Sequence, residues 1–443
     1  MSASAATPAR RAAFEVLRRT FEHGAWADRA FPAAAERHGL EGRERAQAQR
    51  LAFGAVQRCG TSDALAERLV SRAVSKLDPA VRAALRLGMF ELLFSDHEAV
   101  HAAVDAAVEL TKGGMRRGGA RRAAGAAGLV NAVLRRAAAE REELLASLSD
   151  DQPASAAVAH SVPEWLAAMW WGELGARDAR SLLAAINRPP ETALRVNTLG
   201  AEPGDLRAEL VAAGEELAPP LAGSVPELPE ALVWAGPLGP AALAALGDGR
   251  LLAQSRGAQA VGALLDPRPG ERVLDLCAGP GVKTTHLAAR MGGAGEIVAV
   301  EHDESRAGQI AELCARAGAG KVRVEVADAR SADFGRDYDR VLVDPPCSDL
   351  GTLASRPDAR WRKDPETIER LAGLQAEILE RGLEALRPGG RLVYSTCTIS
   401  RRENQDVVAA APAAFASPPL ELRPDRDGTD GFFIASSDGS GSP

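Results

Sequence analysis

The sequence predicts a multidomain protein: an all-α helical bundle, then a small α+β module, then an α/β domain with a Rossmann-like parallel sheet. Three observations predict this. The chain has 443 residues, too many for one ordinary core. Its first third carries helical periodicity only. From about Gly249 onward, short apolar runs alternate with amphipathic segments, the pattern of strands joined by crossover helices. The expected boundaries are 1–149 for the bundle, 150–248 for a linker and the small module, 249–436 for the α/β domain, and 437–443 for a Gly/Ser-rich tail read as disordered.

In the bundle, Arg10 to Phe21 places Ala13, Val16, Leu17 and Thr20 on one face, and Arg43 to Cys59 repeats the pattern. Asp78-Pro79 opens another helix with proline at its first position. His101 to Lys112 and Gly128 to Ala139 complete the set. The stretch between these last two, Lys112 to Arg122, mixes glycines with cations and reads as a flexible loop. Such runs are commonly just solvated, but Arg116, Arg117, Arg121 and Arg122 are candidates for nucleic-acid phosphates.

Asp150 to Pro153 reads as a linker. Ala193 to Asn197 and Ala231 to Trp234 read as strands, Leu206 to Ala213 as a helix, and Pro219-Pro220 and Pro226 to Pro229 as loops. Arg195 and Asn197 in this module are further candidates for RNA contact. In the last domain the expected strands are Arg272–Leu276, Glu296–Val300, Val322–Val326, Arg340–Val343 and Arg391–Tyr394. The expected helices are Ala253–Leu265, Thr284–Met291, Ser305–Ala317 and Ile368–Leu386.

Net charge is −7, which by itself points to no nucleic-acid partner. The bias of Arg over Lys suits phosphate recognition, yet a GC-rich genome produces the same bias. No segment is long and apolar enough to span a bilayer, and residues 1–8 lack the apolar core of a secretion signal, so no membrane association is expected. The five cysteines are scattered, which argues against a disulfide framework and against zinc, since zinc favours close Cys/His pairs. A reducing cytoplasm and no metal are therefore expected.

The chemistry gathers where strands of the last domain end. Asp275-Leu-Cys-Ala-Gly-Pro-Gly-Val-Lys283 follows one strand and opens a helix, so a backbone can approach a ligand there. It matches neither a Walker loop nor a dinucleotide fingerprint. Cys277, Ala278, Gly279, Pro280, Gly281, Val282 and Lys283 are the candidate cradle. Glu301, after the second strand, can take the hydroxyls of a ribose. Asp328 and Asp344 follow the third and fourth strands. Any one of these acids could be a helix cap, but the set suits a nucleoside cofactor with a cationic centre and no phosphate. That describes S-adenosyl-L-methionine better than NAD or ATP. Two cysteines, Cys347 in Asp344-Pro-Pro-Cys-Ser and Cys397 in Ser395-Thr-Cys-Thr, end two further apolar runs. Alone, either would be read as an inert buried thiol. Cys59, Cys277 and Cys314 are read that way.

These segments resemble the motifs of the RNA cytosine-C5 methyltransferases: the glycine turn with Lys283-Thr-Thr-His286 their first motif, Asp344 to Ser348 their fourth, and Ser395 to Thr398 their sixth. Gly428-Thr-Asp-Gly-Phe-Phe433 is similar to their C-terminal signature. Leu85 to Leu93 and Gly128 to Arg136 resemble a NusB-like RNA-binding domain. A NusB-like bundle fused to a class I methyltransferase domain is the architecture of the RsmB (Sun/Fmu) family, which methylates a cytosine of bacterial 16S rRNA. The resemblance spans nearly the whole chain. Three positions depart from it: Val282 and Asp349 stand where the family prefers glycine, and Glu301 replaces the commoner Asp.

The resemblance implies that Cys397 attacks C6 of the base, that Cys347 helps remove the C5 proton and release the enzyme, and that Asp344 and Lys283 polarise the base edge. Covalent attack suits this chemistry, because C5 of cytosine is a poor nucleophile until a thiolate adds at C6. The base must be unstacked to expose C6, and RNA targets are usually unpaired. Trp361 is a candidate stacking residue. The implied partner is 16S rRNA, in an unassembled or partly assembled small subunit. Readings with other substrates or classes are a tRNA or other RNA target, a non-catalytic NusB-like antitermination or assembly factor, and a DNA cytosine methyltransferase. A pure binder needs neither thiol, and the DNA enzymes use a single Pro-Cys nucleophile in a different motif order.

Overall fold

The structure, a computed structural model, describes residues 6–70, 72–95, 99–115, 119–221 and 223–437. The chain forms two compact units: residues 1–187 with 353–362, and residues 188–352 with 363–443. Compactness thus divides the chain at Asn187/Arg188, whereas the sequence reading placed its first boundary at 149/150.

The first unit is helical. Its helices include Pro8–His23, Ala27–Arg37, Gly42–Gln57, Cys59–Val70, Pro79–Phe94, Val100–Gly114 and Gly119–Ala139. Thr7 caps the first, its Oγ1 accepting from Arg10 N at 3.3 Å ahead of Pro8. Asp78 caps the fifth in the same way, as its Asp-Pro pair predicts. The core is rich in alanine with Leu17, Leu51, Leu85 and Leu134 between, so helix axes approach closely. At Gly54 an added Cβ would lie 2.1 Å from the Phe90 ring, so only glycine fits there. Two of these helices escaped the sequence reading, as did Arg141–Ala146, Pro153–His160 and Ala176–Ala185 further along the unit. Ala27–Arg37 contains Pro32, and Cys59–Val70 follows its predecessor with only Arg58 between. The expected loop from Lys112 to Arg122 is shorter than foreseen, because the helices run on to Gly114 and start again at Gly119. Alanines after Gly119 outweigh the glycines around them.

The segment 353–362 packs into this unit through Arg360, which is fully buried. Its guanidinium donates to the carbonyls of Ser161 (3.1 Å), Leu353 (3.1 Å) and Ile186 (3.3 Å), and to Asn187 Oδ1 (3.0 Å). Burial among carbonyls pulls its pKa down to about 9. Trp361 lies against Gly60, where an added Cβ would meet the indole at 2.7 Å, which is the packing role rather than the stacking one.

The second unit holds two sheets. The smaller comprises β1 (Thr192–Val196), β2 (Leu217–Ala218), β3 (Ala231–Trp234) and β4 (Leu251–Ala253), in the order β2-β3-β1-β4 with antiparallel pairing. β4 was not read as a strand, and its last residue, Ala253, was taken as the start of a helix. Instead Ser255 caps that helix, which runs Arg256–Leu265, and the boundary expected at 249 falls just before a strand of the smaller sheet.

The larger sheet comprises β5 (Arg272–Leu276), β6 (Glu296–Glu301), β7 (Val322–Val326), β8 (Tyr338–Val343), β9 (Leu386–Thr396), β10 (Leu420–Leu422) and β11 (Phe432–Ser436). Its order is β10-β11-β9-β8-β5-β6-β7. β9-β8-β5-β6-β7 are parallel, and β11 and β10 return antiparallel. The strands are nearly continuous runs of Val, Ile, Leu and Ala, as buried parallel strands require. Strand order reverses at β5, between β6 and β8, so a crevice for ligand opens at the carboxyl ends there. Ser437, assigned to the tail, closes the sheet: its N donates to Leu392 O at 2.8 Å and its Oγ accepts from Leu392 N at 2.8 Å. Residues 438–443 lie outside the described residues.

Candidate active site

The next-to-last residue of β5 is Asp275, fully buried, whose Oδ2 accepts from Thr284 Oγ1 at 2.7 Å. Burial pushes the Asp275 carboxyl up to about 7, against the pull of the Thr284 hydroxyl. The turn that follows uses positive φ at Cys277 (65°) and Gly281 (96°), and Gly281 caps the helix Val282–Arg290. Val282 therefore sits in the first helical turn with an ordinary backbone, and Gly281 takes the conformation that a β-branched residue resists. Val282 lines a cleft with Pro280, Leu252 and Gln309.

At the end of β6, Glu301 is 3% exposed. Its Oε2 accepts from Gly279 N at 3.2 Å, and its Oε1 lies 3.0 Å from both Asp303 N and an Arg306 guanidinium nitrogen. A Cβ at Gly279 would come within 2.3 Å of that carboxylate. The Glu301 carboxylate and the glycine turn are thus in direct contact. Asp328 follows β7 but is half exposed and folded onto Arg330 at 2.7 Å, which holds its carboxyl down at about 2.

β8 and β9 are adjacent and parallel, so the loops after them meet. Asp344 Oδ2 pairs with Lys283 Nζ at 2.7 Å, and its Oδ1 accepts from Ser395 Oγ at 2.9 Å. Burial draws the Lys283 ammonium down, but the Asp344 charge and hydrogen bond outweigh it and keep its pKa raised. Lys283 Nζ also lies 5.4 Å from the centre of the Phe432 ring, which joins the Gly428–Phe433 segment to the site. Cys347 Sγ and Cys397 Sγ are 3.4 Å apart. Cys397 Sγ donates to Asp349 Oδ1 at 3.2 Å. The hydrogen bond with Cys347, burial, and the charges of Cys347 and Asp349 all push the Cys397 thiol well up, and only Lys283 pulls it down.

Sequence reasoning missed two residues here. Asp349 was noted only as a departure from glycine; it has φ 58° and points its carboxylate at both thiols. Glu403 was not singled out. It is fully buried and accepts from Ser348 N (2.8 Å), Ser348 Oγ and Gln375 Nε2 (3.0 Å), so it binds the loop after β8 to its own loop after β9. A signal existed, since Glu403 follows shortly after Thr-Cys-Thr.

The candidate RNA residues fare differently. Arg195 is fully buried, donating to Gln254 Oε1 at 2.6 Å and Thr285 Oγ1 at 3.2 Å. Asn197 is 2% exposed and donates to Gly249 O and Ala317 O. Both tie the smaller sheet to the helices after it and present no surface to a phosphate, which corrects the expectation. Arg121 and Arg122 are exposed at the start of helix Gly119–Ala139. Arg116 and Arg117 lie outside the described residues. As read from sequence, Cys59 and Cys314 are buried, and Cys277 packs in the turn.

The fold and the site define a Rossmann-like domain of the methyltransferase kind, preceded by a helical domain. The family described as 16S rRNA methyltransferase RsmB/F matches residues 262–417, the NusB family matches 7–139, and the ferredoxin-like domain of RsmF/B-like methyltransferases matches 162–238. Ribosomal RNA small subunit methyltransferase B of Klebsiella pneumoniae is 30% identical over 413 residues, covering 89% of this chain and 90% of its own. Rv1407 of Mycobacterium tuberculosis, which carries a methyltransferase designation, is 35% identical over 97% of this chain and 96% of its own. The crystal structure of PH0851 superposes with a TM-score of 0.78 at 26% identity, covering 97% of this chain and 98% of that one. The chain belongs to the RsmB/F family of rRNA methyltransferases. No helix among the described residues is long and apolar enough to cross a membrane.

Proposed function

We propose that this protein transfers a methyl group from S-adenosyl-L-methionine to C5 of a cytosine in 16S rRNA, through a covalent bond between Cys397 and C6. The observation that carries this reading is the pair of thiols 3.4 Å apart beside the Lys283–Asp344 ion pair, all at the carboxyl end of the sheet. The names of relatives such as the Klebsiella pneumoniae enzyme support the rRNA substrate.

Glu301, Gly279 and the turn around them fit the nucleoside of the cofactor: the carboxylate faces a glycine whose missing side chain keeps the approach open. When bound, the cofactor supplies an electrophilic methyl. The chain's own groups do the rest. The Asp344 carboxylate and Lys283 ammonium face the edge of the base, where they hold the charge that develops when sulfur adds. The Cys397 thiol loses its proton to solvent, and as the thiolate forms the S–C6 bond, the C5=C6 pair moves to C5, which takes the methyl. Cys347 then removes the C5 proton, the C5=C6 bond returns, and the S–C6 bond breaks. Exposed Arg121 and Arg122 in the helical unit are proposed to contact phosphates, which position the RNA without specifying it.

Bisulfite mapping of 16S rRNA from cells with and without the gene tests this reading. One cytosine should lose its protection in the deletion and regain it when purified protein and cofactor are added. Unchanged protection across the 16S rRNA would end the rRNA assignment.

A further inference from the structure

The two thiols do not stand alone. Cys347 Sγ, Cys397 Sγ and an Asp349 carboxylate oxygen all lie within 4.8 Å of one another. Their separations are 3.4 Å (Sγ to Sγ), 3.2 Å (Cys397 Sγ to Oδ1) and 3.9 Å (Cys347 Sγ to Oδ1). A tetrahedral zinc ion, with bonds of about 2.3 Å to sulfur and about 2.0 Å to oxygen, sets these edges near ~3.8 Å and ~3.5 Å. The observed triangle departs from those edges by only a few tenths of an ångström. No sulfur or oxygen has to cross the site to become a ligand.

The donor chemistry agrees. Two thiolates and a carboxylate form a soft, trianionic set that favours a thiophilic dication over magnesium or calcium. Two ammonium groups stand near the triangle. Lys283 faces Cys397 and is itself paired with Asp344 at 2.7 Å, and Lys363 Nζ lies 3.8 Å from Asp349 Oδ2. The two ammonium groups offset the excess negative charge that a dication leaves.

We propose that Cys347, Cys397 and Asp349 form a three-ligand site for a thiophilic dication of the zinc type, with its fourth position open. On binding, two S–metal bonds form, and protons held by the two thiols leave to solvent. No oxidation is involved. The sequence hides the site because its ligands come from two loops about fifty residues apart rather than from a close pair. Asp349 is essential to the site, since glycine at that position leaves two ligands only.

The consequence for catalysis rests on the proposed methyl transfer: an ion holding both sulfurs leaves neither nucleophile nor base, so metal and methylation exclude each other. The site itself does not depend on that reading.

The test uses the full chain, reduced and freed of metal by a chelator, without RNA or cofactor. Added cobalt(II) should give a sulfur-to-metal charge-transfer band and the intense visible bands of a tetrahedral site. The Cys347→Ser/Cys397→Ser double variant should lose both. Asp349→Gly restores a residue suited to φ 58°, so the loop should keep its shape. It should weaken zinc binding, measured by competition with a chromophoric chelator, by more than the roughly 10–100-fold that loss of an outer-shell partner costs. In methylation assays the wild type should be silenced by zinc and recovered by chelator, and Asp349→Gly should need at least tenfold more zinc. Absence of the charge-transfer band, its persistence in the double variant, or equal zinc affinity in Asp349→Gly would overturn the proposal. A protein that binds cobalt as described yet methylates no RNA would overturn the methyltransferase reading and leave the metal site standing.

Discussion

The buried carboxylate of Glu403 accepts a hydrogen bond from Ser348 N at 2.8 Å, and so clamps the loop carrying Cys347 to the loop carrying Cys397. The same carboxylate takes Gln375 Nε2, and Tyr394 OH donates to the Glu403 carbonyl at 2.6 Å. The 3.4 Å thiol separation therefore rests on a group that touches neither sulfur. Glu403→Ala leaves Ser348 N without an acceptor, while Ser348 Oγ keeps Thr398 Oγ1 and Gln375 Nε2 keeps the Pro346 carbonyl, so it should cost about 1–3 kcal/mol for the one donor left unpaired. Calorimetric unfolding should show the loss, and RNA methylation should fall further than stability does. Glu403→Gln keeps an acceptor oxygen and should retain most of both. A Glu403→Ala protein with wild-type stability and turnover would remove Glu403 from this role.

The two thiols should separate in a trapping experiment. Cys397→Ala removes the nucleophile and should give neither methylated RNA nor a covalent adduct. Cys347→Ala should attack and transfer the methyl, then fail to release, because the C5 proton stays. A denaturant-stable protein–RNA complex on a gel should accumulate with Cys347→Ala and vanish in the double variant. Trapping by Cys397→Ala instead would exchange the two roles.

Asp349 sets how readily Cys397 ionises. The hydrogen bond with Cys347 and burial raise the thiol pKa most, and the Asp349 charge adds to them, so fewer thiolates exist at neutral pH. Asp349→Gly removes the charge, and the pKa should fall. In a Cys347→Ala background, iodoacetamide should then label Cys397 faster at pH 7, with the midpoint of the rate–pH curve moved to lower pH. Lys283→Met should move it the other way, because the ammonium is the group that lowers the thiol pKa. Equal curves for all three proteins would mean that neither charge reaches the sulfur.

Much of this site was legible in sequence, because strand ends announce themselves. Arg272–Leu276 and Val322–Val326 have the bounds read from their apolar runs, and the turn after Asp275 faces Glu301 as its position implied. What stayed hidden was long-range. Arg195 looks like a surface cation in a short strand, yet its partners Gln254 and Thr285 lie 59 and 90 residues away. Periodicity cannot report such pairings, nor that residues 353–362 leave the α/β domain to pack among helices. β4 was lost for a related reason, since three residues carry no period and only pairing with β1 defines them.

Asp275 makes stability depend on pH in a definite direction. Its folded pKa is raised to about 7, above the ordinary value of 3.8, so the folded state binds more protons between these limits. Stability should therefore fall as pH rises from about 4 to 7 through this group, by roughly 1.4 kcal/mol per pKa unit at most. Asp275→Asn keeps an acceptor for Thr284 Oγ1 and cannot ionise. Its advantage over wild type should be absent near pH 4 and grow towards pH 8 in parallel denaturation series. A constant difference across that range would show that Asp275 ionises freely in the fold.

Glu301 offers the most direct test of the cofactor site. Its carboxylate is buried, held by Gly279 N and Arg306, and faces the turn where a nucleoside would lie. Glu301→Ala strands the ribose hydroxyls and frees Arg306, so affinity for S-adenosylhomocysteine should drop by about 1–3 kcal/mol in calorimetry. Glu301→Asp keeps the charge on a shorter arm and should bind within a few-fold of wild type. Asp328→Ala is the contrasting case: that carboxylate is half exposed and already satisfied by Arg330, so its loss should cost less than the loss of Glu301. If Glu301→Ala binds the cofactor product as tightly as wild type, the ribose is held elsewhere and the β6 end is structural.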